Sequence, residues 1–387
     1  MSGEWVVLNV LSLTSLVLRR SHPNDEHCGH KISHSSWSLQ PFMQIQQRCI
    51  FSVMAIFKPN QSYLSKGDFI DLAYKFRQKG LKVISSLLHV SGNERTSSKW
   101  NRDFDSADFW IIPEVRMRWN EDCTGDPLLE YEDYVMARYL KTSHDLTMLS
   151  VGCGTGARER KFGKFAQFKR IDGIDIASEQ IEKARQEAAQ IGLDNLHYVA
   201  GDFTTYTNDR APYDVVLFNS SLHHFHDIDA LLKEKVLPIL KPDGFLIVFE
   251  YTGPNQLQWT DEQLAFANEV LRALPVKYRK RFQSNSIKRK IYRPGIWRVQ
   301  LIDPSEAADS INLLPALHRN FEIVEEKKVR FDIAHLVLKD IAHHFTEQDE
   351  EAKKWLGLIF EEEDEYCLRT GNRDMVFGLY RLKKSQR

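Results

Sequence analysis

The sequence predicts an α/β protein built on a doubly wound, seven-stranded sheet with helical cap segments. Five apolar runs of four to eight residues alternate with amphipathic helical patterns from about residue 146 onward. These runs are apolar throughout rather than at alternate residues, which indicates parallel strands covered on both faces. Two later strand patterns, FEIVEEKKV (321–329) and DMVFGLYRLKK (374–384), would complete the sheet.

The five core strands are predicted in chain order at TMLSVGCG, IDGIDI, LHYVAGDF, YDVVLFNSS and GFLIVFEYT. Amphipathic segments between them predict the crossover helices that parallel strands require. Ser178 is predicted to cap the helix after the second strand, and Gly192 to close it. The core is therefore predicted to have three layers, with helices on both faces of the sheet.

A second helical region follows the fifth strand. Thr260 and Gln263 have the spacing of a capping box, and Pro275 would end the helix that they begin. The patterns at 334–345 and 355–366 predict two more helices between the last two strands. The C-terminal part of the chain is therefore predicted to be mainly helical, apart from the strands that complete the sheet.

The chain divides into five predicted segments that differ in composition. Residues 1–53 have no period and few core residues, which indicates a disordered or non-native leader. Residues 54–140 are predicted to form a helical, aromatic-rich cap. Residues 141–255 form the predicted cofactor-binding core, and residues 256–320 a helical lid. Residues 321–387 supply the C-terminal strands and helices.

Composition and residue spacing limit the functional classes to which the protein can belong. The chain has 387 residues and a net charge of −1, so it has no global field that would recruit nucleic acid. Its five cysteines lack CxxC spacing, which favours a reducing, cytoplasmic location. The apolar run at residues 5–18 is too short to span a bilayer, which needs about 20 residues. No His and Cys spacing matches a metal-ligand pattern, so no metal site is predicted.

A glycine-rich turn, GCGTG, follows the first predicted strand at residues 152–156. Glycine lets the backbone approach a bulky ligand closely. Together with Ala157, this turn also satisfies the dinucleotide fingerprint G-x-G-x-x-A. Asp175 ends the second strand, where a carboxylate can accept hydrogen bonds from both hydroxyls of a ribose. The turn and Asp175 fit either S-adenosylmethionine or a nicotinamide dinucleotide.

The end of the third strand separates these two cofactors. Asp202 can accept a hydrogen bond from an adenine amino group, and the ring of Phe203 can stack on the base. A nicotinamide-dependent oxidoreductase gives no reason for this pair. The third strand therefore favours S-adenosylmethionine.

The series VGCGTG, GIDI, GDF, FNSSLHHF and LKPDGFLIVFE resembles the class I S-adenosylmethionine-dependent methyltransferases in order and spacing, over about residues 145–252. The resemblance implies a Rossmann-like methyltransferase sheet that binds S-adenosyl-L-methionine. It implies a cofactor site at Gly152, Cys153, Gly154, Thr155, Gly156, Asp175, Ile176, Asp202, Phe203, Asn219 and Ser220. The flanking segments resemble a narrower group of uncharacterised bacterial methyltransferases, associated with small-molecule and glycan pathways.

Methyl transfer needs an aligned nucleophile, and a hydroxyl nucleophile also needs a base. His224, His223 and Glu250 are the candidate catalytic residues, with His224 placed before His223. Imidazole titrates near neutrality, which suits proton transfer. Each candidate also has a structural interpretation: the histidines can be packing or helix-start residues, and Glu250 can satisfy backbone donors.

The predicted activity is methyl transfer to a small hydroxyl- or amine-bearing metabolite, with anionic and sugar-like acceptors included. The motif FNSSLHHF differs from the proline-rich motif of adenine-N6 methylation, and no Pro-Cys pair of the cytosine-C5 type is present. Nucleic acid is therefore not the expected partner. Two alternatives stay open: an NAD(P)-dependent oxidoreductase, and a non-catalytic interaction protein on a methyltransferase scaffold.

Two further segments bear on the substrate. Residues 277–293 carry eight Lys or Arg side chains, which indicates either a solvated helix face or a surface for an anionic substrate. In the second case, charge reversal at Arg279 and Arg281 would raise KM for that substrate. The aromatic segment around Trp110–Trp119 and the helices after residue 255 are predicted to roof the pocket.

Overall fold

The structure is a computed structural model that describes residues 60–70, 109–207, 210, 212–346 and 349–386. The predicted leader at 1–53 lies outside the described residues. Residues 54–59 and 71–108 of the predicted cap also lie outside them. Within the described ranges, no helix combines the length and apolar character needed to cross a membrane.

The described residues contain a seven-stranded sheet. Its strands are β1 (Leu146–Val151), β2 (Phe168–Asp175), β3 (Leu196–Ala200), β4 (Tyr213–Asn219), β5 (Leu240–Tyr251), β6 (Phe321–Val329) and β7 (Met375–Leu382). The strand order is β3-β2-β1-β4-β5-β7-β6. Strands β1 to β5 pair in parallel, whereas β7 runs antiparallel to both β5 and β6. The predicted seven-stranded sheet is confirmed.

In chain order, the first two helices precede β1 and the others lie between strands. They are α1 (Pro113–Thr124), α2 (Tyr131–Tyr139), α3 (Ala157–Phe162), α4 (Ser178–Gln190), α5 (Ile228–Leu231), α6 (Asp261–Ala273), α7 (Ile296–Ile302), α8 (Leu313–Asn320), α9 (Ala334–Leu338) and α10 (Glu350–Thr370). The predicted helix at 334–345 is broken, because α9 ends at Leu338 and a short 3-10 helix resumes only at Ala342–Phe345.

The continuous apolar runs arise because both faces of the sheet are buried. In β4, Val215 and Leu217 belong to one hydrophobic cluster, whereas Val216 and Phe218 belong to another on the opposite face. Alternate residues of a strand point to opposite faces, so burial on both sides requires every position to be apolar. Helices α5 and α8 cover the face of Val216, and the other face lies under helices that include α1, α4 and α6.

The predicted helix caps were correct in part. Helix α4 begins at Ser178, but its N-cap is Ala177 and no side chain caps it. Thr260 does cap α6, since its Oγ1 accepts a hydrogen bond from the Gln263 backbone N–H at 3.0 Å. The Gln263 side chain does not return to Thr260 to complete a capping box. It donates instead to the Asp332 carbonyl, at 2.9 Å, and to Asp374.

The strand order identifies where a ligand would bind. The sheet runs outward from β1 in one direction and from β4 in the other, so the winding reverses between these two strands. Ligands of open α/β sheets bind at the carboxyl ends of the strands at such a reversal. The dinucleotide-binding sheet has the order 3-2-1-4-5-6. The antiparallel β7, placed between β5 and β6, departs from that order.

Candidate active site

A cavity of about 820 Å³ opens at the carboxyl ends of β1 to β4. This volume falls within the range of small-molecule sites, roughly 300–1,000 Å³. Ten of the eleven residues predicted to hold the cofactor line it: Gly152, Cys153, Gly154, Thr155, Asp175, Ile176, Asp202, Phe203, Asn219 and Ser220. The exception is Gly156, which packs against protein. The ends of four strands therefore bring the predicted set together.

The glycine turn supports the cavity in two ways. Gly152, Gly154 and Gly156 all have positive φ, between 53° and 75°. A Cβ on Gly154 would meet no protein atom within 4 Å, so this backbone faces open space. A Cβ on Gly156 would lie 2.3 Å from the Tyr198 hydroxyl oxygen. Gly156 is thus required for packing against β3, and its predicted contact with the cofactor is not supported by its position.

Asp175 is held in place by the backbone. Its Oδ2 accepts from the Gly154 N–H at 2.8 Å, and its Oδ1 accepts from the Ala177 N–H at 2.8 Å. Burial raises the pKa of the Asp175 carboxyl, and these backbone hydrogen bonds oppose the rise. Each oxygen retains a second lone pair, so the carboxylate can also accept two hydrogen bonds from a ligand.

Asp202 and Phe203 lie side by side at the end of β3. Asp202 Oδ1 accepts from both the backbone N–H and the hydroxyl of Thr204, each at 2.8 Å. Phe203 is buried and packs edge-on against Phe218 and Phe225 at centroid distances of 6.1 Å. These contacts fix both side chains at the cavity wall before any ligand binds.

Asn219 and Ser220 lie where β4 ends. The Oδ1 of Asn219 accepts from the Tyr131 hydroxyl at 2.8 Å, which leaves its amide nitrogen to donate toward the cavity. Ser220 has a φ of 54°, a left-handed conformation that is costly for a residue with a Cβ. This strained turn carries the chain from β4 into the 3-10 helix Leu222–His224.

His224 lines the cavity and belongs to a hydrogen-bonded chain. Its Nδ1 lies 3.1 Å from Ser305 Oγ, and the Ser305 hydroxyl lies 2.5 Å from Asp303 Oδ1. Because the hydroxyl proton is directed toward Asp303, we assign the remaining hydrogen bond to donation from His224 Nδ1–H. A neutral imidazole with a proton on Nδ1 carries a lone pair on Nε2. In this tautomer, Nε2 is the basic nitrogen of His224.

His223 and Glu250 do not line this cavity. Glu250 is fully buried, and its Oε1 accepts from the backbone N–H groups of Ser221 and Leu222, each at 2.6 Å. Its Oε2 lies 2.7 Å from His223 Nδ1. Glu250 and His223 thus hold the turn after β4 in place. Their hydrogen bonds favour the structural interpretation of both residues over the predicted catalytic one.

The motifs at the strand ends did not predict several residues that line the cavity. They include Arg158, Phe225, Pro304 and Ser305. Arg158 pairs with Glu132 at 2.7 Å, and this partner lies on α2, far earlier in the chain. The aromatic residue in FNSSLHHF was a signal for Phe225. Pro304 and Ser305 agree with the predicted roof after residue 255, although the sequence contains no motif at these positions.

The predicted aromatic roof is correct for Trp110 but not for Trp119. Trp110 lines the cavity. Trp119 is buried, and its Nε1 donates to the Arg330 carbonyl at 2.8 Å. The two rings pack edge-on with centroids 4.1 Å apart. Trp119 therefore supports the wall that Trp110 presents to the cavity.

The basic segment at 277–293 is not the predicted helix. It contains a short 3-10 helix, Val276–Arg279, and a β-bridge between Lys280 and Ile287. Four of its basic side chains bind other parts of the chain: Lys277 to Glu351, Arg281 to Asp340, Lys288 to the carbonyls of residues 336, 337 and 339, and Arg293 to Asp261 and the Trp259 carbonyl. Arg281 is buried, so charge reversal there would test folding rather than substrate recognition.

Comparison with known proteins identifies the family. A family model described as "Methyltransferase domain" matches residues 142–369. The chain is 26% identical over 160 residues to the sterol 24-C-methyltransferase of Candida albicans, a match that covers 40% of this chain and 42% of that protein. It is 28% identical over 155 residues to the enzyme of the same name from Eremothecium gossypii, covering 39% and 41%. The matches thus span less than half the length of these relatives.

Two solved structures are also similar. Geranyl diphosphate C-methyltransferase from Streptomyces coelicolor A3(2) matches with a TM-score of 0.44 and 13% identity, covering 76% of this chain and 99% of that one. Phosphoethanolamine N-methyltransferase 2 from Haemonchus contortus matches with a TM-score of 0.41 and 13% identity, covering 66% and 52%.

The cavity fits the cofactor of this family. The open space beside Gly154 admits a ligand against bare backbone. Asp175 offers two oriented acceptors for ribose hydroxyls, and Asp202 with Phe203 offers an acceptor and a ring for adenine. The family model covers more than half of the chain, and the sheet agrees with it. The chain belongs to the class I S-adenosylmethionine-dependent methyltransferases.

Proposed function

We propose that this protein transfers a methyl group from S-adenosylmethionine to a small hydroxyl- or amine-bearing metabolite. The observation that carries the proposal is the presence of His224 on the wall of the same cavity that contains the predicted cofactor residues. A purely binding protein would need the cofactor residues but would not need an oriented imidazole beside them.

The residues at the strand ends would hold the cofactor. Asp175 would accept from the ribose hydroxyls, and Asp202 with Phe203 would bind adenine. The amide nitrogen of Asn219 would donate to the methionine end, since its oxygen is already bonded to Tyr131. The bound cofactor supplies a methyl group on positively charged sulfur, and sulfur keeps the electron pair of the broken bond when the acceptor's lone pair bonds to carbon.

His224 would activate the acceptor. The acceptor loses one proton during methylation. A general base at the cavity wall favours the loss of this proton. The hydrogen bonds from His224 to Ser305 and from Ser305 to Asp303 orient the ring, and Nε2 would accept the proton. Alignment of the two reactants supplies the larger part of the effect, since effective molarities in such cases correspond to about 7–11 kcal/mol.

The cavity wall would also exclude water. The rings of Trp110 and Phe225 line the cavity. Pro304, in the segment after α7, lines it as well. An apolar roof removes water from the reacting groups and orients the acceptor. The proposal covers several classes of acceptor. Because the relatives are named sterol methyltransferases, sterols should be tested together with small hydroxyl and amine metabolites.

Release of S-adenosylhomocysteine tests this proposal. Purified protein is incubated with S-adenosylmethionine and with fractions of a metabolite extract or a sterol mixture. We expect at least one fraction to increase release above the background without acceptor. His224→Gln should reduce this rate by about 10²-fold or more, which is the contribution of a typical general base. His144→Gln, an exposed control, should not change it.

The outcomes distinguish the alternatives. Equal rates for the wild type and His224→Gln would remove His224 from acceptor activation. Tight cofactor binding without release in any fraction would favour the non-catalytic interaction protein.

A further inference from the structure

We propose that a second cavity, beside the cofactor cavity, binds the methyl acceptor through an anionic group, a carboxylate or a phosphate. Lys290 and Lys339, which both line this cavity, would hold that group. The site rests on the methyl transfer proposed above and narrows the acceptor to a small molecule with an apolar body and one negatively charged end. It places the recognition of an anion at these two lysines rather than at Arg279 and Arg281.

The second cavity has a largely apolar wall. Its volume is about 220 Å³, which suits a ligand smaller than the one that the cofactor cavity of about 820 Å³ admits. Trp259, Ile291, Val299 and Leu336 line it, and all four are buried. Each square ångström of apolar surface that a ligand removes from water contributes about 25 cal/mol. The wall therefore favours a ligand with an apolar body.

Six basic side chains of the described residues line this cavity, and four of them bind other parts of the chain. Arg281 and Arg298 each pair with a carboxylate at 2.7 Å. Lys288 donates to three backbone carbonyls, and Arg293 donates to one carbonyl and one carboxylate. These four cations hold the wall of the cavity together.

Lys290 and Lys339 differ from these four. Both are exposed, and within the described parts of the chain neither lies within 4.0 Å of a carboxylate oxygen. The Lys290 Nζ lies 5.4 Å from the ring centre of Tyr292, which also lines the cavity. The two lysines are close in space, because Lys288 donates to the Lys339 carbonyl at 2.6 Å. Two ammonium groups at the mouth of an apolar cavity suit a carboxylate or a phosphate.

The acidic side chains of the wall are compatible with an anion at the mouth. Asp68 and Asp340 are the partners of Arg298 and Arg281. Asp303 is only 2% exposed, so it lies at the inner end of the cavity, whereas the two lysines are exposed to solvent. The charged end of a ligand is therefore favoured at the mouth and its apolar body further in.

The segment 303–306 borders both cavities. Asp303 and Glu306 line the second cavity, whereas Pro304 and Ser305 line the cofactor cavity. An acceptor with its charged end at the lysines and its body along the apolar wall would direct its other end toward this segment and the cofactor. The lysines would thus select the acceptor at a distance from the reacting atom, without a part in proton transfer.

Isothermal titration of the purified full chain with hexanoate, hexyl phosphate and uncharged 1-hexanol tests the site. We expect at least one of the two anions to bind about tenfold or more tightly than 1-hexanol, through charge-assisted hydrogen bonds. The tighter anion identifies the acceptor's group as a carboxylate or a phosphate. Lys290→Gln combined with Lys339→Gln should remove this preference and leave the affinity for 1-hexanol unchanged. Each single substitution should remove part of it.

Lys280→Gln combined with Arg289→Gln is the matched control. It removes two exposed charges from the same basic segment, and neither residue lines the cavity. This variant should bind the anions as the wild type does. Circular dichroism and titration with S-adenosylhomocysteine check that each variant is folded.

Two outcomes would overturn the site: equal affinity of the wild type for the anions and for 1-hexanol, or an equal loss of anion affinity in both double variants. The site and the proposed function fail in different ways. Methyl transfer with the same KM for the acceptor in the wild type and in the Lys290 and Lys339 double variant refutes the anion site alone. Lysine-dependent anion binding without transfer to any acceptor refutes the proposed function alone.

Discussion

Glu159 illustrates how single residues behind the glycine turn support it. It lies on α3, is almost fully buried and accepts a hydrogen bond from Ser150 on β1. Burial raises the pKa of the Glu159 carboxyl from 4.5 to about 7. The folded protein therefore holds this proton more tightly than the unfolded chain does. The resulting stability is present at low pH and is lost as the pH rises from about 4.5 through about 7.

This shift gives a prediction at the scale of one residue. Between pH 5 and pH 8, ionisation of Glu159 should lower the free energy of unfolding by an amount on the order of 1–3 kcal/mol. Glu159→Gln keeps an acceptor for Ser150 and removes the charge, so the variant should lose this part of the pH dependence. Urea unfolding at both pH values measures the difference between the wild type and the variant.

The variant must be compared with the wild type at both pH values, because burial also raises the pKa of Asp332 and that of Asp374. Both groups act in the same direction as Glu159. Glu182→Gln, on the exposed face of α4, should keep the pH dependence of the wild type. If Glu159→Gln keeps it as well, Glu159 is already ionised in the folded state.

Residues differ in how far the sequence alone could predict them. Gly154, Asp175 and Asp202 were predicted because each lies at or just after the end of an apolar strand, and strand ends meet at one edge of a parallel sheet. Gly156 belongs to the same motif, but its neighbour Tyr198 comes from β3, and a pattern along the chain does not reveal that contact. Glu250 carries no mark that distinguishes a buried backbone partner from a catalytic acid.

At the scale of elements, Lys288 joins the basic segment to α9. It is buried, and its Nζ donates to the carbonyls of Leu336, Val337 and Lys339 at 2.6–3.0 Å. These carbonyls lie at the C-terminal end of α9, where helices leave acceptors unpaired and where a cation is favourable. The lysine thus binds the carbonyls at the end of α9, whereas the sequence predicted a helix that continues to residue 345.

Replacement of Lys288 should destabilise this connection. Lys288→Met keeps most of the side-chain volume but leaves three buried carbonyls without their donor. We expect the free energy of unfolding to fall by about 1–3 kcal/mol, the cost of buried polar groups that lose their partner. Urea unfolding measures it, with Lys280→Met as the exposed control. A loss no larger than that of the control would mean that the segment is a solvated surface.

At the scale of the whole molecule, the sheet was predictable and the roof was only partly so. Strands β1 to β5 follow from apolar runs, because burial on both faces leaves little freedom in composition. The antiparallel placement of β7 between β5 and β6 depends on long-range pairing and was not part of the prediction. The wall at Pro304 and Ser305 likewise depends on how the chain returns after α7, which no local motif encodes.

The central claim is that the cavity at the ends of β1 to β4 binds S-adenosylmethionine rather than a nicotinamide dinucleotide. Isothermal titration of the full chain with S-adenosylhomocysteine and, separately, with NADH tests it most directly. We predict saturable binding of S-adenosylhomocysteine below millimolar concentration and none of NADH. Asp175→Asn should weaken binding by roughly 10²-fold or more, through loss of charge-assisted hydrogen bonds of about 1.5–3 kcal/mol each. Binding of NADH without S-adenosylhomocysteine, or a folded Asp175→Asn variant that binds normally, would contradict the account.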